Sequence, residues 1–194
     1  VFDPKPPLLP LAELSVAMTD LRRAVHHGGV IASANPCNRG SYHGMVPLTG
    51  GNEADLAPTT RALLRKLAAL PALVADEWPC ELRVPTMAQL GYYPPGGEAR
   101  YTPHLDRRAD EVDNRREITF LLYMNVGWDS ERCGGQLRCF PTFDPRLPDA
   151  PNSVLEVEPV AGRLVIFQSG HVQHEVLPCR HEGRLALTLW VEYR

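Results

Sequence analysis

Short runs of apolar or alternating residues, each bounded by turn-forming residues, fill the second half of this chain and most constrain its fold. Eight such runs cover residues 86–93, 99–106, 117–125, 135–140, 154–157, 163–168, 174–179 and 184–193. Short strands at this regular spacing are typical of a β-sandwich or barrel, and eight strands match a jelly roll. We therefore predict a double-stranded β-helix (jelly roll) over residues 86–193.

Two helical patterns lie within residues 1–85. Apolar residues recur at spacings of three and four from Leu11 to Val25, and a Gly-Gly pair ends the run. Leucines between Pro58 and Pro71 form a second apolar stripe. We predict a mainly β domain spanning residues 1–194, with N-terminal helices packed on one sheet of the jelly roll.

The segment between the two helices, residues 35–52, is rich in Gly, Pro and Asn. A stretch of this length without secondary structure is usually a functional lid or is disordered. We predict a loop that contributes to substrate binding, in which His43 is exposed to solvent. Residues 107–116 are predicted to form a second, charged loop.

Composition excludes several classes of function. A net charge of −3 does not favour nucleic-acid binding, and no apolar run is long enough to predict a membrane span. The first ten residues lack the pattern of a signal peptide. Five cysteines without a C-x-x-C motif suit reduced thiols in the cytoplasm or nucleus, although one or two disulfides remain an alternative.

The triplet His104-Leu105-Asp106 is the sharpest local motif. On a strand, residues two apart point to the same face, so the imidazole and the carboxylate can converge. One further histidine would complete the two-histidine, one-carboxylate set of non-haem Fe(II) oxygenases. The segment HVQHEV offers His171 and His174; we favour His174, which begins an alternating strand, over His171 in a predicted loop.

The last predicted strand, RLALTLW, places an arginine on one of its two faces. Arg184 and Thr188 share a face with an alanine and a tryptophan, and three leucines form the other face. An arginine in the interior needs an anionic partner, which a dicarboxylate cosubstrate would supply. The alternative is that the leucine face is the interior one and that Arg184 is exposed.

Several motifs together resemble the prolyl 4-hydroxylase branch of the 2-oxoglutarate and Fe(II)-dependent dioxygenases. They are YPPGG at 93–97, HLD at 104–106, LYMN at 122–125, GGQLR at 134–138, FP at 140–141, HEV at 174–176 and RLALTLW at 184–190. The resemblance covers residues 86–193 in unbroken order. It is strongest to the hypoxia-inducible-factor prolyl hydroxylases, because collagen-type members are expected to have a lysine at the position of Arg184. Tyr123 and Trp128 also match the oxygen-sensing type.

The resemblance implies roles for individual residues. His104, Asp106 and His174 would bind iron and form the catalytic centre. Arg184 would pair with the distal carboxylate of 2-oxoglutarate, and the Tyr123 hydroxyl would donate a hydrogen bond to it. The remaining residues of the cosubstrate pocket would be Thr188, Val176, Leu137 and Leu121.

Tyr93 would lie at the mouth of the site. Its spacing to His104 is one residue longer than in the oxygen-sensing relatives, so Tyr92 and Tyr101 remain alternatives for this position.

The activity implied is hydroxylation that requires Fe(II), 2-oxoglutarate, O₂ and ascorbate as reductant. A proline-containing protein or peptide would be converted to 4-hydroxyproline, with release of succinate and CO₂. The helices, residues 35–52 and residues 107–116 would form the wall of a peptide groove. Alternatives are hydroxylation of another residue, of a free amino acid or of a small metabolite, and a non-catalytic metal-binding sensor.

Overall fold

The helices lie where the apolar periodicity predicts them. The computed structural model describes residues 8–48, 56–75, 81–140 and 153–194. Helix α1 spans Leu11–His26, helix α2 spans Pro58–Ala69 and continues into the 3₁₀ turn Leu70–Leu73, and the short helix α3 spans Ser130–Cys133. Proline suits the start of α2 because the first N–H groups of a helix have no partner within it. Both predicted helices are confirmed.

The described residues also contain twelve strands, which pair antiparallel. They are β1 (Ile31–Ala32), β2 (Asn38–Arg39), β3 (Tyr42–Pro47), β4 (Leu82–Arg83), β5 (Met87–Tyr93), β6 (Arg100–His104), β7 (Arg116–Tyr123), β8 (Leu137–Cys139), β9 (Leu155–Val157), β10 (Leu164–Gln168), β11 (His174–Val176) and β12 (Arg184–Tyr193). Strands β5 to β12 each overlap one of the eight predicted runs.

The strands form two sheets with the jelly-roll core between them. The larger sheet has the order β1-β3-β5-β12-β7-β10, with β4 paired to the end of β12, and the smaller has the order β2-β6-β11-β8-β9. Buried side chains from both sheets, such as Leu121 and Val165 on one and Leu137 and Val176 on the other, form one apolar cluster. The predicted fold class is confirmed.

The helices cover the opposite face of the larger sheet. Leu14 and Leu21 of α1 belong to the same apolar cluster as Leu185, Leu187 and Leu189 of β12, and all five are fully buried. Burying a leucine side chain stabilises the fold by about 1.5–3 kcal/mol. Both faces of the larger sheet are therefore buried, one against helices and one against the second sheet.

Residues 38–39 and 42–47 form strands β2 and β3, so the prediction of a loop over residues 35–52 is wrong for these residues, and residues 49–52 lie outside the described residues. Strand β3 pairs with β5 along its whole length, with His43 opposite Gly91. Glycine is required within β3 because a Cβ atom on Gly44 would lie 2.1 Å from the Gly29 carbonyl oxygen. Here glycine permits close packing of backbone against backbone. Its presence in residues 35–52 was therefore not a sign of a loop.

The described helices and cysteines bear on the predictions of no membrane span and of reduced thiols. No described helix is both long and apolar enough to cross a membrane. Cys37, Cys133, Cys139 and Cys179 are free thiols, and Cys80 lies outside the described residues.

Candidate functional site

Two histidines and one aspartate converge between the sheets. His104 is the last residue of β6 and His174 the first of β11, and these two residues are directly paired across the strands. One ligand atom from each of His104, Asp106 and His174 lies within 4.8 Å of the other two. The Nε2 atoms of His104 and His174 lie 3.7 Å and 3.8 Å from Oδ1 of Asp106. This donor set, with space beside it, suits a non-haem Fe(II) centre.

Backbone carbonyl groups orient both imidazole rings. Nδ1 of His104 lies 2.9 Å from the carbonyl oxygen of Thr102, and Nδ1 of His174 lies 3.0 Å from that of Val172. Because a carbonyl only accepts, Nδ1 carries the proton in each ring and Nε2 keeps its lone pair for a metal. Burial lowers the pKa of His174, which favours the neutral ligand form, although the charge of Asp106 opposes this.

Asp106 is positioned by hydrogen bonds and not by a strand. Strand β6 ends at His104, so the strand geometry expected for the triplet does not extend to the carboxylate. Instead, Thr119 Oγ1 donates to Asp106 Oδ2 at 2.6 Å, and Asn114 Nδ2 donates to the Asp106 backbone oxygen at 3.0 Å. Burial raises the pKa of Asp106, but His104, His174 and Thr119 outweigh it and bring the pKa down to about 2.

The Thr119 hydroxyl should therefore matter for metal affinity. We expect Thr119→Val to weaken Fe(II) binding by about 10- to 100-fold, because partners that orient a ligand typically contribute this much. Titration calorimetry with Fe(II) under anaerobic conditions measures the change. Thr102→Val is the matched control: its backbone oxygen, which holds His104, is retained. An unchanged affinity in Thr119→Val would show that Asp106 is held without the hydroxyl.

Arg184 and Tyr123 form a buried polar pair close to the metal-ligand set. Arg184 is 2% exposed, and its guanidinium carbon lies 5.0 Å from the ring centre of Tyr123 and 5.2 Å from that of Tyr93. Arg184 Nε and the Tyr123 hydroxyl are buried without a hydrogen-bond partner among the described residues. Burial raises the pKa of Tyr123 to about 12 against the opposing charge of Arg184, so the hydroxyl stays protonated.

An anion fits this pair. A guanidinium Nε and a phenol hydroxyl that are both buried without an acceptor are costly, and a carboxylate from a ligand would satisfy both as donors. The alternative in which Arg184 is exposed and the leucine face forms the interior is wrong, because both faces of β12 are buried.

One cavity joins most of the predicted site residues. Nine of the ten line it: Tyr93, His104, Asp106, Leu121, Leu137, His174, Val176, Arg184 and Thr188. The tenth, Tyr123, is fully buried and contacts this group through Arg184.

The structure also separates the alternatives for individual positions. Tyr93 and Tyr101 both line the cavity, and the Tyr101 ring stacks on that of His104 at 3.5 Å. Tyr92 packs instead against the helix-facing cluster. His171 is exposed and does not line the cavity.

A groove adjoins the cavity, and its walls differ in part from those predicted. It measures about 390 Å³ and is lined by residues 31–35 together with Asn38, His43, Gln89, Tyr101, Asp106, Arg116 and Trp190. Helices α1 and α2 contribute nothing to it because they pack on the other face of the larger sheet, so the predicted helical wall is wrong. Of residues 107–116, Arg116 alone lines the groove, and its guanidinium lies 3.8 Å from the Trp190 ring centre.

Sequence reasoning missed several residues that line the cavity. They are His43, Gln89, Thr119, Phe167 and Trp190. Thr119 and Trp190 could have been found from strand alternation, since Thr119 lies two residues from Leu121 and Trp190 two from Thr188. His43 was misplaced because residues 35–52 were interpreted as a loop. It is half-buried and hydrogen-bonded.

Comparison with known proteins gives a consistent picture. The family model of the 2OG-Fe(II) oxygenase superfamily matches residues 88–192. A hypoxia-inducible factor prolyl hydroxylase of Caenorhabditis elegans is 37% identical over 105 residues, which are 53% of this chain and 13% of that protein. Human prolyl hydroxylase EGLN3 is 34% identical over 97 residues, which are 50% of this chain and 36% of that protein. The chain thus covers little more than a third, or less, of these curated relatives.

Solved structures extend the similarity beyond the matched segment. A Pseudomonas putida prolyl-4-hydroxylase is 32% identical with a TM-score of 0.73, and the match covers 96% of this chain and 89% of that one. A Trichoplax adhaerens prolyl hydroxylase, solved with a peptide fragment of the hypoxia-inducible factor oxygen degradation domain, is 23% identical with a TM-score of 0.78. That match covers 94% of this chain and 79% of that one, and at this identity it supports the fold alone.

Proposed function

The chain belongs to the 2OG-Fe(II) oxygenase superfamily, and from that membership we propose that it hydroxylates carbon 4 of a prolyl residue in a protein or peptide. His104, Asp106 and His174 would bind Fe(II), and Arg184 with Tyr123 would bind the far carboxylate of 2-oxoglutarate. Enzymes of this superfamily use Fe(II), 2-oxoglutarate and O₂, and ascorbate is typical of the prolyl hydroxylases.

One observation carries this proposal: the same cavity is lined by a metal-ligand set and by the buried cation Arg184, whose Nε has no hydrogen-bond partner among the described residues. A dicarboxylate with an adjacent oxo group would serve both, because one end can chelate the metal while the other pairs with Arg184. The planar guanidinium matches a carboxylate through two parallel hydrogen bonds.

The side chains of the cavity have distinct tasks in this reaction. Bound Fe(II), with 2-oxoglutarate and O₂, supplies an oxidation in which 2-oxoglutarate becomes succinate and CO₂ and the substrate gains a hydroxyl group. His104 and His174 keep their Nε2 lone pairs directed at the metal position, since each Nδ1 proton is held by a carbonyl. The apolar side chains of Leu121, Leu137 and Val176 exclude water from the cosubstrate.

The groove beside the cavity suits a peptide. Its volume of about 390 Å³ lies within the range of ligand-binding clefts. Because Asp106 lines both spaces, a substrate in the groove would reach the metal ligands directly. The likeness to prolyl hydroxylases supports proline as the target residue.

Mass spectrometry of proline-containing peptides tests the proposal. We expect iron-loaded protein to add one oxygen atom to a prolyl peptide and to form one succinate per oxygen added, with the product identified as 4-hydroxyproline by amino-acid analysis. The same peptide with alanine in place of proline, and protein carrying Asp106→Ala, are the controls.

Three other outcomes would redirect the assignment. Oxidation of a different residue would change the substrate class. Oxidation of free amino acids alone would exclude a peptide substrate. Iron-loaded protein that consumes no 2-oxoglutarate with any substrate would be a metal-binding sensor and not an enzyme.

A further inference from the structure

A hydrogen-bonded network of four polar side chains, Asn38, Ser41, His43 and Gln89, lies beside the predicted metal site. His43 of β3 and Gln89 of β5 line both the cavity and the groove. His43 Nδ1 lies 3.0 Å from Gln89 Oε1. On the other side of the ring, His43 Nε2 lies 2.7 Å from Asn38 Nδ2 and 3.0 Å from Ser41 Oγ. Neither Gln89 nor His43 belongs to the metal-ligand set or to the Arg184–Tyr123 pair.

The direction of these hydrogen bonds follows from their short contacts. Ser41 Oγ lies 2.7 Å from Asn38 Oδ1, so the hydroxyl donates to the amide oxygen and the Asn38 amide nitrogen faces His43. An amide nitrogen only donates, so His43 Nε2 accepts and the ring proton resides on Nδ1. That proton is then donated to Gln89 Oε1. Burial lowers the pKa of His43, with Gln89 opposing it, which agrees with a neutral ring carrying one proton.

The amide nitrogen of Gln89 is consequently the unpaired donor at the end of this hydrogen-bonded network. It donates no hydrogen bond within the described residues, and its side chain lines both spaces. Across the strands, Gln89 is paired with Thr188 of β12 on one side and with Met45 of β3 on the other. Directly opposed residues share a face of the sheet. Since Met45 is 54% exposed, this face leads from the cavity out to solvent.

Two further donor side chains, Trp190 and Arg116, line the groove, and Arg116 also donates to the Asp106 backbone oxygen at 3.3 Å. Trp190 Nε1 has no hydrogen-bond partner among the described residues, and the Arg116 guanidinium lies over the Trp190 ring. A peptide bond to proline has no N–H and offers only a carbonyl oxygen. The unpaired donor of Gln89 thus suits the carbonyl next to a proline, whereas an N–H in the same place would lose its hydrogen bond to water without replacement.

We propose that Gln89, oriented by His43, donates a hydrogen bond to the backbone carbonyl oxygen next to the target proline and so selects prolyl peptides. This inference rests on the proposed function. Gln89 is a binding residue for the substrate, and His43 is a positioning residue that sets which end of the Gln89 amide faces the groove.

Kinetics with a prolyl peptide that the wild-type protein hydroxylates test the role of Gln89. Gln89→Leu is expected to raise the KM for the peptide about three- to tenfold, the usual range for one neutral hydrogen bond, and to change the KM for 2-oxoglutarate less. Gln89→Glu should have a larger effect because it presents acceptors to an acceptor. Gln168→Leu, the same change at an exposed strand position outside both spaces, should leave both constants unchanged.

A double-mutant cycle separates positioning from contact. His43→Phe keeps a flat ring but removes the Nδ1 proton, so it should also raise the peptide KM. Combined with Gln89→Leu it should add nothing, since both changes remove the same hydrogen bond. Additive effects would overturn the positioning role of His43.

Nitrogen NMR of His43 in metal-free protein gives a readout that needs no substrate. We expect a neutral ring protonated at Nδ1; protonation at Nε2 would turn the Gln89 oxygen toward the groove and overturn the inference. If wild-type protein hydroxylates prolyl peptides but neither Gln89 variant changes the peptide KM, the inference fails and the proposed function stands. Wild-type protein that oxidises no prolyl peptide refutes both.

Discussion

Replacing His174 with alanine is expected to abolish Fe(II) binding and 2-oxoglutarate turnover, whereas the same change at His171 leaves most of both. His174 Nε2 faces Asp106 Oδ1 at 3.8 Å, and its Nδ1 atom is held by the Val172 carbonyl, so the ring presents Nε2 to the metal position. Losing the ligand itself should cost more than the about 10- to 100-fold that follows from losing a partner of a ligand.

Two measurements check this expectation. Anaerobic calorimetry reports Fe(II) affinity, and succinate formation reports turnover. Because His174 is buried, folding of the variant should be verified from its thermal unfolding without metal. The decisive comparison is the rise in Tm caused by Fe(II), which should vanish in His174→Ala and persist in His171→Ala. The reverse pattern would transfer the ligand role to His171.

Replacing Arg184 with methionine is expected to raise the requirement for 2-oxoglutarate by about 30-fold or more. Removing one member of a buried, hydrogen-bonded ion pair costs about 2–5 kcal/mol, and every 1.4 kcal/mol is about tenfold in affinity. Arg184→Lys should fall between methionine and the wild type, since it keeps the charge but loses the planar fork.

For the ligand-free protein we expect that Arg184→Met does not lower the free energy of unfolding. A buried charge without an ionic partner contributes little to folding, so Arg184→Met should be no less stable than wild type when 2-oxoglutarate is absent. Wild-type protein should gain about 2.7 kcal/mol of stability at 2-oxoglutarate concentrations of about 100 times its Kd, and the variant, at the same concentration and with a Kd about 30-fold higher or more, should gain about 0.9 kcal/mol or less.

A matched control for Arg184→Met lies on helix α1. Arg23 is exposed and interacts with Asp20 at 3.9 Å, so Arg23→Met should change neither the 2-oxoglutarate dependence nor the stabilisation. If Arg184→Met kept the wild-type dependence on 2-oxoglutarate, the anchor would have to be another cation.

Much of the fold follows from local patterns. The alternation of strands β5 to β12 and the leucine stripes of α1 and α2 each require only neighbouring residues, and all these elements form where they are predicted. Residues 42–47 are the exception, since Gly44 and Pro47 weaken any local strand signal. Their pairing with β5 is decided by contacts with distant backbone, including the close approach of Gly44 to Gly29.

In the candidate site, too, some features follow from the local sequence and others depend on distant residues. The chemical types of His104, Asp106 and His174 were sufficient to predict a metal-binding set, and alternation correctly grouped Arg184 with Thr188. The position of Asp106, in contrast, depends on Thr119, thirteen residues further on, and on a loop that the Asn114 side chain ties back to the Asp106 backbone.

By itself the sequence determined which residues share a strand face, because side-chain direction along a strand has a period of two whatever the surroundings. It could not determine which face of β12 is buried, since helices cover one side and the second sheet covers the other. Only the tertiary structure decided that Arg184 is enclosed with its Nε unpaired among the described residues and that His43 and Gln89 reach the groove. Burial and hydrogen-bond direction depend on segments far apart in the chain, and no local pattern encodes them.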